Sequence, residues 1–211
     1  MRTNKKQQLL ATAMDIVESD GLQGLTYDSL STATGTSKSG LIYHFPSRRA
    51  LEVELNKYSA SLWTQALEDI AGAPPQQLDL PLRLKAIVIN QSTSARRADL
   101  FLTLQSLPDP EIRRIWTDAW QPWSAGIAEN SAALFILTLA DGLWTSDHVN
   151  PTPLSATERQ LIVEQACAFI DSVQWDSGRL PAHVDIVFPP ARSAALQILF
   201  LLQGLSRRLL R

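Results

Sequence analysis

The chain has 211 residues, 45% of them hydrophobic and 19% charged, with a net charge of −2 at neutral pH. That apolar content excludes wholesale disorder, and a charge this close to zero excludes bulk attraction to polyanions, so nucleic-acid binding needs a local basic cluster. The single cysteine, Cys167, excludes an internal disulfide.

MRTNKKQQLL lacks the apolar stretch of a secretory signal, and the longest apolar run, 194–202 interrupted by Gln197, falls short of the roughly 20 residues of a membrane span. A soluble cytoplasmic protein with no membrane partner is expected. Almost no segment alternates with the two-residue period of a strand, so the expected fold is all-α. A helix over 4–19 places Leu9, Leu10, Ala13, Ile16 and Val17 on one face, and Asp20-Gly21 is expected to end it. Thr26 suits the N-cap of a short helix to Thr34, with Asp28 in its first turn and Gly35 as a left-handed stop. Ser37 can cap a helix over 38–45, and Pro46-Ser47 introduces a long one over 48–70. Gly72, Pro74 and Pro75 break the chain over 71–77; further helices are read over 79–94, 98–105, 109–121, 127–147 and 157–175. Residues 132–140 are apolar almost all round and need cover on more than one side. The expected units are 1–47, 48–175 and an extension over 176–211, whose Leu196, Leu199, Phe200, Leu202 and Leu205 would form an apolar band able to dock on the middle unit.

From Thr26 to Phe45 the chain reads TYDSLSTATGTSKSGLIYHF. The spacing fits a helix-turn-helix, in which one helix crosses the phosphate backbone and the next enters the major groove. In that geometry Leu30, Ala33, Leu41 and Ile42 form a small core, Gly35 permits the turn, and Gly40 lets the second helix approach closely. Lys38, Ser39, Tyr43 and His44 face outward. Between Gly35 and Arg49 stand Lys38, Arg48 and Arg49 with no Asp or Glu, which is the local basic cluster.

The run from Leu9 to Leu51 resembles the DNA-binding domain of the tetracycline-repressor (TetR) family: LL-x-x-A in the first helix, then Gly21, Leu25-Thr26, Leu30, Ala33, Gly35, Ser37, and GLIYHFPSR followed by Ala50-Leu51. YDSL together with SKSGLIYHFPSR is especially similar to a multidrug-binding repressor of that family. The resemblance implies phosphate contacts at Thr26, Tyr43, His44 and Arg48, and base-edge contacts at Lys38, Ser39 and Gly40, with Ser37 at the head of the reading helix also in the DNA-binding set. Arg48 stands where Lys is usual, Ser31 and Thr34 where Ala is usual, and Thr36 where Val is usual; these hydroxyls are expected to bond backbone carbonyls. The resemblance also implies a homodimer whose last two long helices pair as a four-helix bundle. That would hold two reading helices about 34 to 36 Å apart on a palindromic double-stranded operator.

Trp116, Trp120 and Trp123 recur at i, i+4 and i+7, although Pro122 is expected to end or kink that helix before the third ring. Trp63, Phe101, Phe135 and Trp144 are expected to converge with them, with Asp141 or Asp147 adding a carboxylate. Such a pocket suits flat lipophilic ligands, cations above all. The same tryptophan spacing also fits plain core packing. A second reading is a helical small-molecule-binding or interaction protein with a vestigial DNA-reading surface. His44, His148 and His183 have no metal-ligand spacing, and neither a P-loop nor a G-x-S-x-G elbow occurs, so no enzyme, cofactor or metal is expected; Cys167 reads as buried filler.

Overall fold

A computed structural model describes residues 5–93 and 96–175, apart from the side chain of Asp147. The expected C-terminal extension lies outside the described residues. Within them the regular structure is helical: α1 (Lys5–Gly24), α2 (Tyr27–Thr34), α3 (Lys38–His44), α4 (Arg48–Ala71), a 3-10 turn (Pro75–Gln77), α5 (Leu80–Thr93), α6 (Arg97–Ser106), α7 (Pro110–Ser124), α8 (Ser131–Val149) and α9 (Ala156–Ser172). Among them no helix is long and apolar enough to cross a membrane.

Short-range chemistry sets the boundaries. Thr26 caps α2 by accepting the Ser29 N–H at 3.0 Å, while the Ser29 hydroxyl accepts the Thr26 N–H at 2.9 Å. Each satisfies a donor that the helix itself leaves orphaned. Gly35 stops α2 at φ 64°, and Ser37 and Ser47 cap α3 and α4. At the end of α1, Gly21 takes φ 70° and breaks the ladder where an end was expected, but the helix resumes for a short piece to Gly24. The Thr34 hydroxyl donates to the Leu30 carbonyl at 2.6 Å, as expected of a polar group beside a small core.

Pro122 does not end α7, which runs on through Trp123 to Ser124. Arg83, only 9% exposed, reaches across from α5 and donates Nη1 to the carbonyls of Pro122 at 3.1 Å and Trp123 at 3.0 Å. Those carbonyls lie in the last turn, where no later N–H is available, so the buried guanidinium replaces the missing donors. Burial lowers the Arg83 pKa.

Two apolar clusters form, and α4 joins them. The first packs Leu9, Ala13 and Val17 of α1 against Leu30, Leu41, Phe45, Leu51 and Leu55, and it also takes Ala98 and Leu102 from α6. The second gathers Leu67 of α4 with Leu84 and Ile87 of α5, Trp123 of α7, Ile136 and Ala140 of α8, and Phe169 and Ile170 of α9. Two members of the expected small core fall outside it. Ala33 is exposed on α2, and Ile42 is 51% exposed because α3 buries only a narrow stripe, Leu41 and Phe45. A residue one step beyond Leu41 is rotated by about 100° and leaves that stripe. On α8, Ala132, Ala133, Ile136 and Ala140 are buried, while Leu134 and Phe135 are each 45% exposed. Cys167 is half-buried rather than buried, and desolvation pushes its thiol up.

Candidate functional site

Helix α3 is held from one side and open on the other. Leu41 and Phe45, four residues apart, are both fully buried, and the Tyr27 hydroxyl donates to the Phe45 carbonyl at 2.5 Å. At Gly40 a Cβ would stand 3.0 Å from Thr36 Cγ2 and 3.3 Å from Ser37 Oγ. What glycine keeps open there is the first turn of α3 itself, not the approach of α2. On the open side Lys38, Ser39, Ile42 and Tyr43 are exposed, Tyr43 at 84%. Thr26 and Ser37 are exposed at their caps, and His44 is half-buried with its ring edge-on to Tyr43 at 5.2 Å.

The basic cluster is more committed than the run 35–49 implies, because acids arrive from elsewhere in the chain. Lys38 pairs with Asp28 at 2.5 Å, both groups being well exposed. Arg48 donates Nη1 to the Leu25 carbonyl at 2.7 Å, Nη2 to the Leu22 carbonyl at 3.0 Å and Nε to Glu52 at 2.9 Å. The guanidinium expected on a phosphate therefore braces the α1–α2 connection against α4. Arg49 turns the other way, to the carboxylates of Asp109 and Glu111, the latter at 2.6 Å. Those hydrogen-bonded carboxylates raise the Arg49 pKa, and Arg49 in turn holds Asp109 below the usual carboxylate range. Asp109 also caps α7, so this pair links the start of α4 to the start of α7. Lys6 meets Glu54 at 2.5 Å and lowers its pKa. An open groove of about 430 Å³ between these groups is lined by Lys6, His44, Ser47, Arg49, Glu54 and Glu111.

The residues expected to form an aromatic pocket divide among several places. Trp63 of α4 and Trp120 of α7 come together, their ring centroids 5.4 Å apart. Trp116 lies one turn away on α7 and donates its indole N–H to Asn56 Oδ1 at 3.0 Å. Trp123 is fully buried in the second cluster. Phe101 packs instead with the first cluster, because Ala98, Phe101 and Leu102 share the face of α6 turned toward α1, and Arg97 stands 5.7 Å from its ring. Phe135 sits 5.5 Å from Phe169, Trp144 lies 6.3 Å from the His148 ring, and Asp141 is exposed on α8. The expected convergence thus holds for Trp63 and Trp120 and fails for Phe101, which α6 carries to the other cluster.

Around the tryptophans runs a polar chain that pattern reading passed over. Asn56, fully buried, donates to the Glu52 carbonyl at 2.9 Å and to Gln105 Oε1 at 3.3 Å while accepting from Trp116. Ser59 donates to Asp99 Oδ1 at 3.0 Å. Burial pushes the Asp99 carboxyl up, partly opposed by that hydrogen bond and by Arg96. The signal was present on α4: Asn56, Ser59, Ala60, Trp63 and Leu67 share one face, and a polar pair inside an apolar stripe marks a buried network.

Comparison with known proteins agrees with this arrangement. The family model for the tetracyclin repressor-like C-terminal domain matches residues 83–171. The HTH-type transcriptional regulator RutR of Escherichia coli strain K12 is 30% identical over 97 residues, 44% of this chain and 45% of that protein. The match therefore spans less than half the length of that curated relative. Among solved structures, a transcriptional regulator from Saccharomonospora viridis in complex with choline superposes with a TM-score of 0.62 at 19% identity, covering 79% of this chain and 95% of that one. A transcriptional regulator from Rhodococcus sp. Rha1 gives 0.60 at 13% identity, over 79% and 96% of the two chains. These neighbours share the fold. With its helix-turn-helix placed ahead of a helical domain, of which residues 83–171 match the tetracyclin repressor-like C-terminal domain, the chain is similar to the tetracycline-repressor (TetR) family.

Proposed function

We propose that this chain is a cytoplasmic, DNA-binding transcriptional repressor that acts as a homodimer on a palindromic operator and is released by a small lipophilic, cationic effector. The observation that carries the reading is the open face of α3. Lys38, Ser39 and Tyr43 are exposed on a helix whose opposite side is locked into the first cluster. The Lys38–Asp28 pair is a solvated surface pair, worth little in isolation, so exchanging Asp28 for a DNA phosphate or base is inexpensive.

Dimerisation is supported by Leu134 and Phe135, two large apolar side chains that stand half-exposed on α8 beside α9. A second copy covering that face would set the spacing of the two reading helices. A cationic effector is supported by the Trp63–Trp120 pair and by the partly buried Asp99 carboxyl nearby on α6, which accepts from Ser59 of α4. The Saccharomonospora viridis structure is in complex with choline, a quaternary ammonium cation, which fits the same class of ligand. A route for the response is also available. Glu18 of α1 accepts the Ala98 N–H of α6 at 2.8 Å, and Arg49 ties α4 to α7, so displacement of α6 or α7 reaches the DNA-reading unit. If effector favours the non-binding dimer about a hundredfold, operator affinity falls by about 2.7 kcal/mol.

Selection of bound sequences from a random duplex pool tests the proposal. The expected result is an inverted repeat released by tetraphenylphosphonium. A pool with no enriched sequence would overturn the regulator reading, and an enriched repeat indifferent to lipophilic cations would overturn the effector class.

A further inference from the structure

We infer that Ile42 reads a base: its side chain contacts the C5-methyl group of a thymine in the operator's major groove. The inference rests on the DNA-binding reading above and adds a specificity determinant to it. Ile42 is 51% exposed although it sits between the buried Leu41 and the partly buried end of α3. Lys38 precedes it by four residues and Ser39 by three, so the three share one face of the helix. That face is otherwise polar, with Tyr43 as its other border. An apolar side chain set among donors on a helix that enters the major groove needs an apolar counterpart. Of the groups that bases display there, the thymine methyl is the one that is apolar. The isoleucine is also β-branched, with χ1 restricted by the helix, so little side-chain freedom is lost when the contact forms.

Lys38 and Ser39 read hydrogen-bond acceptors and donors, whereas Ile42 distinguishes thymine from every other base through a single methyl group. Because that group is small, the contact shows as a modest, position-specific preference. Removing the methyl while keeping every hydrogen-bonding group of the base isolates it from all other readout.

The test uses the full-length protein and the duplex recovered from random-pool selection. Each thymine of one half-site is replaced singly by deoxyuridine, and affinity is measured by fluorescence anisotropy for the native chain and for Ile42→Ala. In the native chain one position is expected to weaken binding about fourfold on loss of its methyl, the equivalent of one methyl-sized group buried. In Ile42→Ala the same replacement should have no effect, while Ile42→Val should retain part of it. Since Ile42 lies outside both apolar clusters, the variants keep their fold, which a thermal melt verifies. A flat deoxyuridine scan in the native chain, an equal penalty in Ile42→Ala, or a selected half-site lacking thymine would each overturn the assignment. Failure to select any sequence overturns the regulator reading itself, so the two failures are distinguishable.

Discussion

Replacing Arg48 by Ala separates a guanidinium that braces the protein from one that touches DNA. Arg48 donates to the Leu22 and Leu25 carbonyls, which lie where α1 gives way to α2, and to Glu52 one turn along α4. A hydrogen bond from a charged donor contributes about 1.5 to 3 kcal/mol when its partner is otherwise left unsatisfied. The Arg48 side chain is 46% exposed, however, so water can replace it at the outer carbonyl, and the combined loss falls to about 1 to 2 kcal/mol. In a chain of this length each kcal/mol moves the melting temperature by about 2 to 4 °C, which predicts a drop of about 2 to 8 °C. A phosphate contact leaves a different mark. Each one contributes about 0.9 to the slope of log affinity against log salt, so a dimer losing two would lose about 1.8. The expected outcome is a lowered melting temperature with an unchanged salt slope. Arg48→Lys should behave like Arg48→Ala, since an ammonium keeps the charge but cannot fork across two carbonyls. An unaltered melt, with the slope reduced by about 1.8 in Arg48→Ala and preserved in Arg48→Lys, would refute the brace.

Tyr43→Ala and Lys38→Ala remove exposed groups and should leave the melt unchanged while weakening operator binding at least tenfold in gel-shift titrations; undiminished affinity in both would contradict the reading-helix assignment. Phe135→Glu should convert the dimer to monomer in light scattering, because a carboxylate replaces half-exposed apolar surface at the proposed bundle; a variant that remains dimeric would place the interface elsewhere. At Asp99, burial raises the folded pKa above the unfolded one, so the native state binds that proton more tightly and the associated stability is present at low pH and lost as pH rises through the folded value. Asp99→Asn, whose amide oxygen can still accept from Ser59, should therefore melt higher than the native chain at neutral pH, with the gain shrinking as pH falls toward about 4. A gain of constant size across that range would mean that the carboxyl charge is not what burial opposes.

What could be read from the sequence was what lies within one helical turn. Thr26 with Ser29, Ser37 with Gly40, and Gly35 in its left-handed conformation are all interactions across three or four residues, and the boundaries of α2 and α3 follow from them. The contacts that decide the use of each arginine are of another kind. Arg48 finds its carbonyls 23 and 26 residues away, and Arg49 finds Asp109 at a separation of 60. No periodicity encodes such a pairing, so a run without acids looked freely basic. Ile42 was misplaced for a related reason. Apolar character alone put it in the core, but α3 offers a stripe only one side chain wide, and Leu41 with Phe45 occupies it.

The two adjacent arginines also yield a prediction about coupling. Because they leave the start of α4 in opposite directions, one toward the α1–α2 connection and the other toward the cap of α7, the first turn of α4 is fastened to both elements at once. Arg49 and Glu111 are exposed and Asp109 is partly buried, so removing the link costs only modest stability and leaves the exposed face of α3 intact. It is nonetheless a direct polar link from the helix that bears Trp116 and Trp120 to the helix that follows α3. Arg49→Ala should accordingly bind the operator within about twofold of the native chain, while the proposed hundredfold release by tetraphenylphosphonium shrinks to a few-fold. Isothermal titration of the cation alone should show unchanged affinity in the absence of DNA, which separates lost coupling from a lost ligand site. If Arg49→Ala responds to the cation as fully as the native chain, the signal travels through the Glu18–Ala98 contact between α1 and α6, and the arginine link is incidental.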